Sequence, residues 1–193
     1  INSPQAPIFD KGGMLYGMDA AKGPVKDKGT AVVVEGYIDV IIAHQFGFKN
    51  VVASMGTSLT ERQAKALQSL ASQVLLCLDP DPAGQEATWN SLWSVWGMAN
   101  RTRLPSTRGS SMPFYEQTSG PVLKIASLPY GKDPDQVILE NPEEWKVTIE
   151  RATEFMDYVF QRIVARENIA TPEGKLAVVN SLSPLIFSHR NQF

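Results

Sequence analysis

Four short apolar runs, separated by helix-like segments, constrain the fold of this 193-residue chain more than any other feature. The runs cover residues 30–34, 50–53, 73–78 and 122–126. In the first run the apolar residues are consecutive rather than alternating, which is typical of a strand that is buried on both faces of a parallel sheet. Because the runs alternate with helical segments, the sequence predicts βαβ units on a mostly parallel sheet.

Turn and capping signals predict the helices between these runs. A helix is predicted over residues 37–46, where Gly47 stops it. Thr60 and Gln63 have the spacing of a capping box, so a second helix is predicted to begin at about Thr60. A third helix is predicted over residues 82–96, because a proline stands near its first turn.

The remaining chain departs from this alternation. Residues 101–119 are rich in Ser, Thr, Pro and Gly and lack periodicity, so we expect a long exposed insertion there. Residues 142–167 and 172–187 have helix-like composition, and each segment opens with Pro followed by Glu. The predicted divisions are a preceding segment at 1–28, an α/β core at 29–140 and a small helical subdomain at 141–193.

Six carboxylates follow three of the predicted strands in short clusters. The clusters are Glu35 with Asp39, Asp79 with Asp81, and Asp133 with Asp135. In an open parallel sheet, ligands bind beyond the carboxyl ends of the strands, which is where all three clusters are expected. Carboxylates held close together stay ionised only if cations or strong hydrogen bonds offset their repulsion. The pattern predicts one site for Mg²⁺ or Mn²⁺, since oxygen ligands suit hard cations.

Each acid taken singly also has a structural interpretation. Asp39 is compatible with a solvated helix position, Asp81 with a helix N-cap, and Asp133 or Asp135 with a turn before Pro or a helix. The occurrence of three clusters at one predicted edge favours the shared site.

Composition excludes several other classes of protein. Cys77 is the single cysteine, so this chain cannot form an intrachain disulfide or a zinc-finger ligand set. The apolar runs are too short for a signal peptide or a membrane span, and we expect a soluble intracellular protein. The net charge of −2 argues against a uniformly basic surface, although bound cations would reverse the local sign at the acids.

Four segments contain the acids and the neighbouring turns, and they are VVVEGYIDV, ASMGTS, LDPDPAG and LPYGKDPD. Together these segments resemble the Toprim domain of bacterial DnaG-type primases. The flanking segments NSPQAPIFDKGGMLYG and ATPEGK are similar to primase elements before and after that domain. The resemblance implies a Toprim fold, an α/β fold with a mostly parallel sheet flanked by helices, followed by a small helical subdomain. It also implies that residues 1–28 come from the preceding primase subdomain.

The resemblance further implies roles for individual residues. The implied catalytic acids are Glu35, Asp79 and Asp81, and the implied metal-binding set adds Asp39, Asp133 and Asp135. Two or more Mg²⁺ or Mn²⁺ ions are expected in this pocket. Asn2 and Lys11 match positions that contact nucleotide or nucleic-acid phosphate, and Gly36 and Gly56 match turn glycines.

The implied activity is that of a DNA primase, which makes short RNA primers from NTPs on a single-stranded DNA template during replication. The expected partners are the template, NTPs and the RNA primer, with no membrane, and the implied location is the cytoplasm in association with the nucleoid. The replicative helicase and single-strand-binding protein are expected to bind through regions absent from this chain. The chain begins inside a motif, so we expect a catalytic-core fragment with weak or no priming activity alone.

The sequence departs from the family pattern at three positions. Gly13 and Pro82 stand where the family often has Arg, and Pro80 replaces the middle Gly between two acids.

Three alternative functions are also compatible with the acids. A haloacid-dehalogenase-type phosphatase would use Asp79 as a nucleophile. A Toprim-type nuclease or topoisomerase would cleave strands with the same acids, and a non-catalytic module would hold a structural ion. Phosphate release from a generic ester would indicate the phosphatase, DNA nicking the nuclease, and template-dependent primer synthesis the primase.

Overall fold

A computed structural model describes residues 10, 12–55, 59–78, 102–103, 115–116, 121–129 and 131–188. The chain divides into two compact units, Ile1–Ala152 and Thr153–Phe193. Helices described in the first unit are α1 (Met18–Lys28), α2 (Tyr37–Gln45), α3 (Glu61–Gln68), α4 (Pro134–Glu140) and α5 (Pro142–Glu150). Its described strands are β1 (Thr30–Val34), β2 (Val51–Ala53), β3 (Gln73–Leu78), β4 (Thr102–Arg103), β5 (Tyr115–Glu116) and β6 (Val122–Ser127). The second unit has β7 (Thr153–Glu154), α6 (Phe155–Arg166) and α7 (Pro172–Ser188).

The first unit is built on a parallel sheet with the strand order β2-β1-β3-β6. In the register of this sheet, Val32 of β1 lies between Val51 of β2 and Leu75 of β3. The predicted α/β architecture and its four strands are confirmed, with the second strand beginning one position later and the fourth ending one position later than expected.

The core of the first unit explains why its strands are runs of apolar residues. Residues 31–34 of β1 and all of β2 are buried, as expected for strands covered on both faces. One cluster of buried side chains joins the sheet to helices on one side, and it includes Val34, Val40 of α2, Ile138 of α4 and Trp145 of α5. The sheet and these helices therefore hold the ends of the central strands in fixed positions.

The predicted capping box at the start of α3 is present. The Thr60 hydroxyl accepts a hydrogen bond from the Gln63 amide at 3.2 Å, and the Gln63 side-chain oxygen accepts one from the Thr60 amide at 2.9 Å. Gln63 is fully buried, and its side-chain nitrogen donates to the Met14 carbonyl oxygen at 2.7 Å. The cap thus also fixes the segment before α1 against α3.

Two helices of the first unit were not predicted, and one predicted helical region is not continuous. α1 contains Gly23 and Pro24, which both disfavour helix, and α4 begins directly after Asp133, where the sequence allowed a turn before Pro or a helix. The helix-like region 142–167 is interrupted, because Thr153 and Glu154 are extended between α5 and α6.

The insertion at 101–119 contains regular structure that the sequence did not indicate. β4 and β5 pair antiparallel within it, with Thr102 opposite Glu116. The predicted helix at 82–96 lies outside the described residues.

Candidate metal-binding site

Two of the three acidic clusters lie, as predicted, beyond the carboxyl ends of parallel strands. Glu35 directly follows β1, and the segment after β6 leads to Asp133 at the N-terminus of α4. Asp79 and Asp81 directly follow β3 in sequence but lie outside the described residues. The strand order reverses at this edge, because β2 and β3 lie on opposite sides of β1. Such a reversal is where open α/β sheets bind their ligands.

The carboxylate of Asp39 connects the Glu35 cluster with the Asp133 cluster. Asp39 Oδ2 accepts a hydrogen bond from the Gly36 amide at 2.9 Å, and its Oδ1 accepts one from the Asp135 amide at 3.2 Å. Only 7% of the Asp39 residue surface is exposed. Each of its oxygens therefore faces a backbone N–H group in the interior of the first unit.

Gly36 is required for the close approach of this carboxylate. Its backbone is extended, with φ −98°, a conformation that any residue adopts. A Cβ atom at this position would lie 2.8 Å from Asp39 Oδ2, which is too close for an ordinary contact. The predicted importance of Gly36 thus comes from the space that Asp39 needs. Gly56 lies outside the described residues.

The other described acids of the site are more accessible than Asp39. Glu35 and Asp133 are exposed, and Asp135 is partly exposed. Asp135 Oδ1 accepts a hydrogen bond from the Gln136 amide at 2.8 Å, and the Asp133 amide donates to the Gln136 side-chain oxygen at 3.3 Å. The described part of the site therefore contains accessible carboxylates as well as the buried Asp39.

Burial dominates the electrostatics of Asp39. It raises the pKa of the carboxyl from 3.8 to about 6, against the effect of the hydrogen bonds from Gly36 and Asp135, which lower it. The charges of Asp135 and Asp133 make smaller contributions in the same direction as burial, and the value of about 6 includes all of these effects. The pKa of the buried Cys77 thiol is raised mainly by burial and also by the charge of Asp39. Asp39 therefore acts electrostatically on the end of β3 as well as on α4.

One feature of this edge was missed by the sequence analysis. Met55 has a left-handed backbone, with φ 63°, and its amide donates to the Glu35 carbonyl oxygen at 3.0 Å. The preceding Ser54 amide donates to the Val34 carbonyl oxygen at 3.1 Å. Residues other than glycine rarely adopt this conformation, so the turn after β2 holds the backbone of Glu35 at a cost in strain. The following Gly56 was the only local signal of such a turn.

The ligand chemistry of the acids fits a hard cation, because every predicted donor is a carboxylate oxygen. Among the described residues, however, no group of three His, Cys, Asp or Glu side chains is arranged to hold a metal ion. The described acids are therefore part of the predicted site, and completing it requires the contribution predicted for Asp79 and Asp81. Asn2 and Lys11 also lie outside the described residues, so their phosphate contacts stay predictions.

Gly13, one of the departures from the family pattern, lies beside an ion pair between Arg62 of α3 and Asp10. A Cβ atom at position 13 would lie 2.6 Å from Asp10 Oδ2 and 2.7 Å from Arg62 Nη2. The ion pair therefore occupies the space that a side chain at position 13 would need. A guanidinium group is present here, but it comes from α3 rather than from residue 13.

Comparison with protein families finds two matches along the chain. Residues 32–101 match a family described as Toprim-like, which covers the strands and acids up to the insertion. Residues 156–187 match the DnaB-helicase binding domain of primase. The second match lies inside this chain, whereas the sequence analysis had expected the helicase contact in regions outside it. In the parts of the chain that the structure covers, no helix is long and apolar enough to cross a membrane.

Individual relatives agree with these matches. The chain is 37% identical over 188 residues to a DNA primase of Clostridium acetobutylicum, a match that covers 96% of this chain and 28% of the relative. It is 34% identical over 188 residues to a DNA primase of Pseudomonas aeruginosa, covering 96% of this chain and 26% of that protein. The chain thus spans about a quarter of the length of these relatives.

Solved structures show the same similarity in three dimensions. A DNA primase domain from Pseudomonas aeruginosa has a TM-score of 0.77 and 33% identity, over 96% of this chain and 53% of that one. A DnaG primase catalytic domain bound to single-stranded DNA also has a TM-score of 0.77, with 30% identity over 96% of this chain and 55% of that one. The described fold is therefore the Toprim fold found in the catalytic cores of primases.

Proposed function

The chain belongs to the DnaG-type primases, in the Toprim-containing part of their catalytic core, and from this premise we propose that it carries the metal-binding centre for RNA primer synthesis. The reaction is nucleotidyl transfer from NTPs to the 3′ end of a growing RNA primer on a single-stranded DNA template during replication. The observation that carries the proposal is the convergence of Glu35 and the Asp133 cluster on one sheet edge, joined through Asp39.

The acids divide into a central set and a supporting set. The central ligands in this proposal are Glu35, Asp79 and Asp81, and the supporting acids are Asp39, Asp133 and Asp135. When bound, two or more Mg²⁺ or Mn²⁺ ions would lower the pKa of the attacking 3′-hydroxyl and stabilise the charge on the leaving pyrophosphate. The exposure of Glu35 and of Asp133 supports a role as ligands, because each carboxylate is accessible to a cation that enters with the substrate.

Contacts to the substrate are proposed for two residues near the start of the chain. Asn2 and Lys11 would bind nucleotide or nucleic-acid phosphate, and Lys11 would do so as a point charge. The single-stranded DNA in one similar structure supports a template of that kind for this chain.

The second unit is proposed to bind a DnaB-type replicative helicase. The family match at residues 156–187 supports this partner, and the unit exposes large apolar side chains that suit a protein contact. These side chains are Phe160, Ile169, Leu176 and Val179, each at least half exposed. Single-strand-binding protein is proposed as a partner of the larger primase, through regions outside this chain.

A primer synthesis assay tests the proposed activity. The chain is incubated with Mn²⁺, the four NTPs and a single-stranded DNA template, and the products are separated on a denaturing gel. We expect weak, template-dependent RNA synthesis that disappears in the Glu35→Gln variant. Cleavage of the template instead of RNA synthesis would contradict the proposal and favour a Toprim-type nuclease. Release of phosphate from a generic ester would favour a phosphatase.

A further inference from the structure

Asp39 serves the N-termini of two helices with one carboxylate. It is the third residue of α2, and its Oδ2 accepts the amide hydrogen bond of Gly36, the N-cap of that helix. Its Oδ1 accepts from Asp135, the second residue of α4. The first amides of a helix have no partner within the helix and carry partial positive charge, so a carboxylate is a favourable acceptor for them.

The hydrogen bonds at the start of α4 show why Asp39 is needed there. Pro134, the first residue of α4, has no N–H group, so Asp135 provides the first donor of the helix. The next donor, the Gln136 amide, is satisfied by Asp135 Oδ1 at 2.8 Å. The Asp135 amide is satisfied by Asp39, which lies 96 positions earlier in the sequence.

These bonds join two of the three acidic clusters. Gly36 is adjacent to Glu35, and Asp135 belongs to the cluster that begins at Asp133. Side chains of α2 and α4 pack in the same buried cluster of the core, so the hydrogen bonds of Asp39 act on helices that already touch. The two hydrogen bonds of Asp39 therefore fix the N-terminus of α2 relative to the N-terminus of α4.

We propose that Asp39 is a positioning residue that sets the spacing between Glu35 and the Asp133–Asp135 cluster, rather than a direct metal ligand. Both of its oxygens face backbone amides and the residue is buried, whereas Glu35 and Asp133 are exposed. The role of this spacing in metal binding rests on the proposed function, whereas the two hydrogen bonds are features of the structure itself.

Amide hydrogen exchange in the metal-free chain tests the proposal. The variants are Asp39→Leu, which removes both acceptors, and Asp39→Asn, which keeps one. We expect exchange of the Gly36 and Asp135 amides to accelerate on the order of tenfold in the Leu variant, as loss of a hydrogen bond to a charged group predicts. In the Asn variant only one of the two amides should accelerate, because a carboxamide offers a single oxygen.

Asp157→Asn is the matched control. Asp157 is also the third residue of its helix, α6, but it is exposed and lies in the second unit, so exchange at Gly36 and Asp135 should stay at the wild-type rate. If the Leu variant does not fold, the Asn variant alone decides. Wild-type exchange at both amides in the folded Asp39 variants would overturn the proposal.

A Mn²⁺ titration adds a second readout. We expect Asp39→Asn to retain measurable Mn²⁺ binding under conditions in which Glu35→Gln does not. Equal loss of binding in both variants, with protected amides in Asp39→Asn, would identify Asp39 as a ligand and overturn the positioning role. The exchange experiment uses neither metal nor nucleotide, so its result stands even if the primer synthesis assay fails.

Discussion

At the scale of the single residue, burial and hydrogen bonding act in opposite directions on the protonation of Asp39. Burial raises the pKa of the carboxyl to about 6, although the amides of Gly36 and Asp135 favour the charged form. The ionised carboxylate is therefore less stable in the folded metal-free chain than in water.

The first prediction concerns stability against pH. The folded pKa of Asp39, about 6, exceeds its ordinary value of 3.8, so the folded state holds this proton more tightly than the unfolded state. The stabilising contribution is present below pH 3.8 and is lost as pH rises through 6, and it amounts to no more than about 3 kcal/mol. Urea unfolding of the metal-free chain between about pH 4 and pH 7 measures this loss.

The matched variants for this prediction are Asp39→Asn and Asp157→Asn. Other groups titrate in the same range, so the prediction is the difference between the two curves. Asp39→Asn should show a smaller fall in unfolding free energy than the wild type, and Asp157→Asn should follow the wild type. Parallel curves for all three proteins would show that the pKa of Asp39 is not raised.

The sequence predicted that Glu35 and Asp133 follow strands at this edge, but not how their clusters are connected. Glu35 and Asp133 could be located because each follows a recognisable strand. The hydrogen bond between Asp39 and the Asp135 amide depends on the packing of α2 against α4, which no local pattern encodes. The ion pair that fills the space beside Gly13 is likewise a tertiary feature.

At the scale of the secondary-structure element, the start of a helix could be predicted where its capping residues lie close together in the sequence. Thr60 and Gln63 predicted the start of α3, because both partners of a capping box lie within one turn. The break between α5 and α6 could not be predicted in this way. Apolar residues recur at intervals of three or four across it, at Trp145, Ile149, Ala152 and Phe155, so the hydrophobic period does not change where the helix ends.

The second prediction concerns the exposed apolar face of α7. Leu176 is 60% exposed and Val179, three residues later on the same face, is 57% exposed. Leu176→Glu should weaken capture of a DnaB-type helicase, because a charge in an apolar contact is left without a partner. Since the side chain is exposed, the variant should unfold at the same urea concentration as the wild type.

Leu139→Glu is the control for this prediction. Leu139 of α4 is 54% exposed but lies in the first unit, outside the segment that matches the helicase-binding family. We expect it to bind the helicase as the wild type does. Equal capture of helicase by the wild type and both variants would remove the proposed role of this face.

At the scale of the whole molecule, the two compact units contain matches to different protein families. The first unit holds the acidic edge of the Toprim fold, and the second contains the segment similar to a helicase-binding domain. The parallel sheet could be predicted from its apolar strands. The strand order could not, because the reversal at β1 depends on which edge each new strand joins. That reversal nevertheless determines where the acids meet.

The central claim is that this edge is one metal-binding centre to which Glu35 and Asp79 both contribute. Calorimetric titration of Mn²⁺ into the wild-type chain, Glu35→Gln and Asp79→Asn tests it most directly, with Asp157→Asn as the control for loss of a surface charge. We predict that both site variants bind Mn²⁺ at least roughly tenfold more weakly, since even the loss of supporting groups around a metal has such an effect. The control should bind as the wild type does. Unchanged Mn²⁺ affinity in both Glu35→Gln and Asp79→Asn would contradict the account.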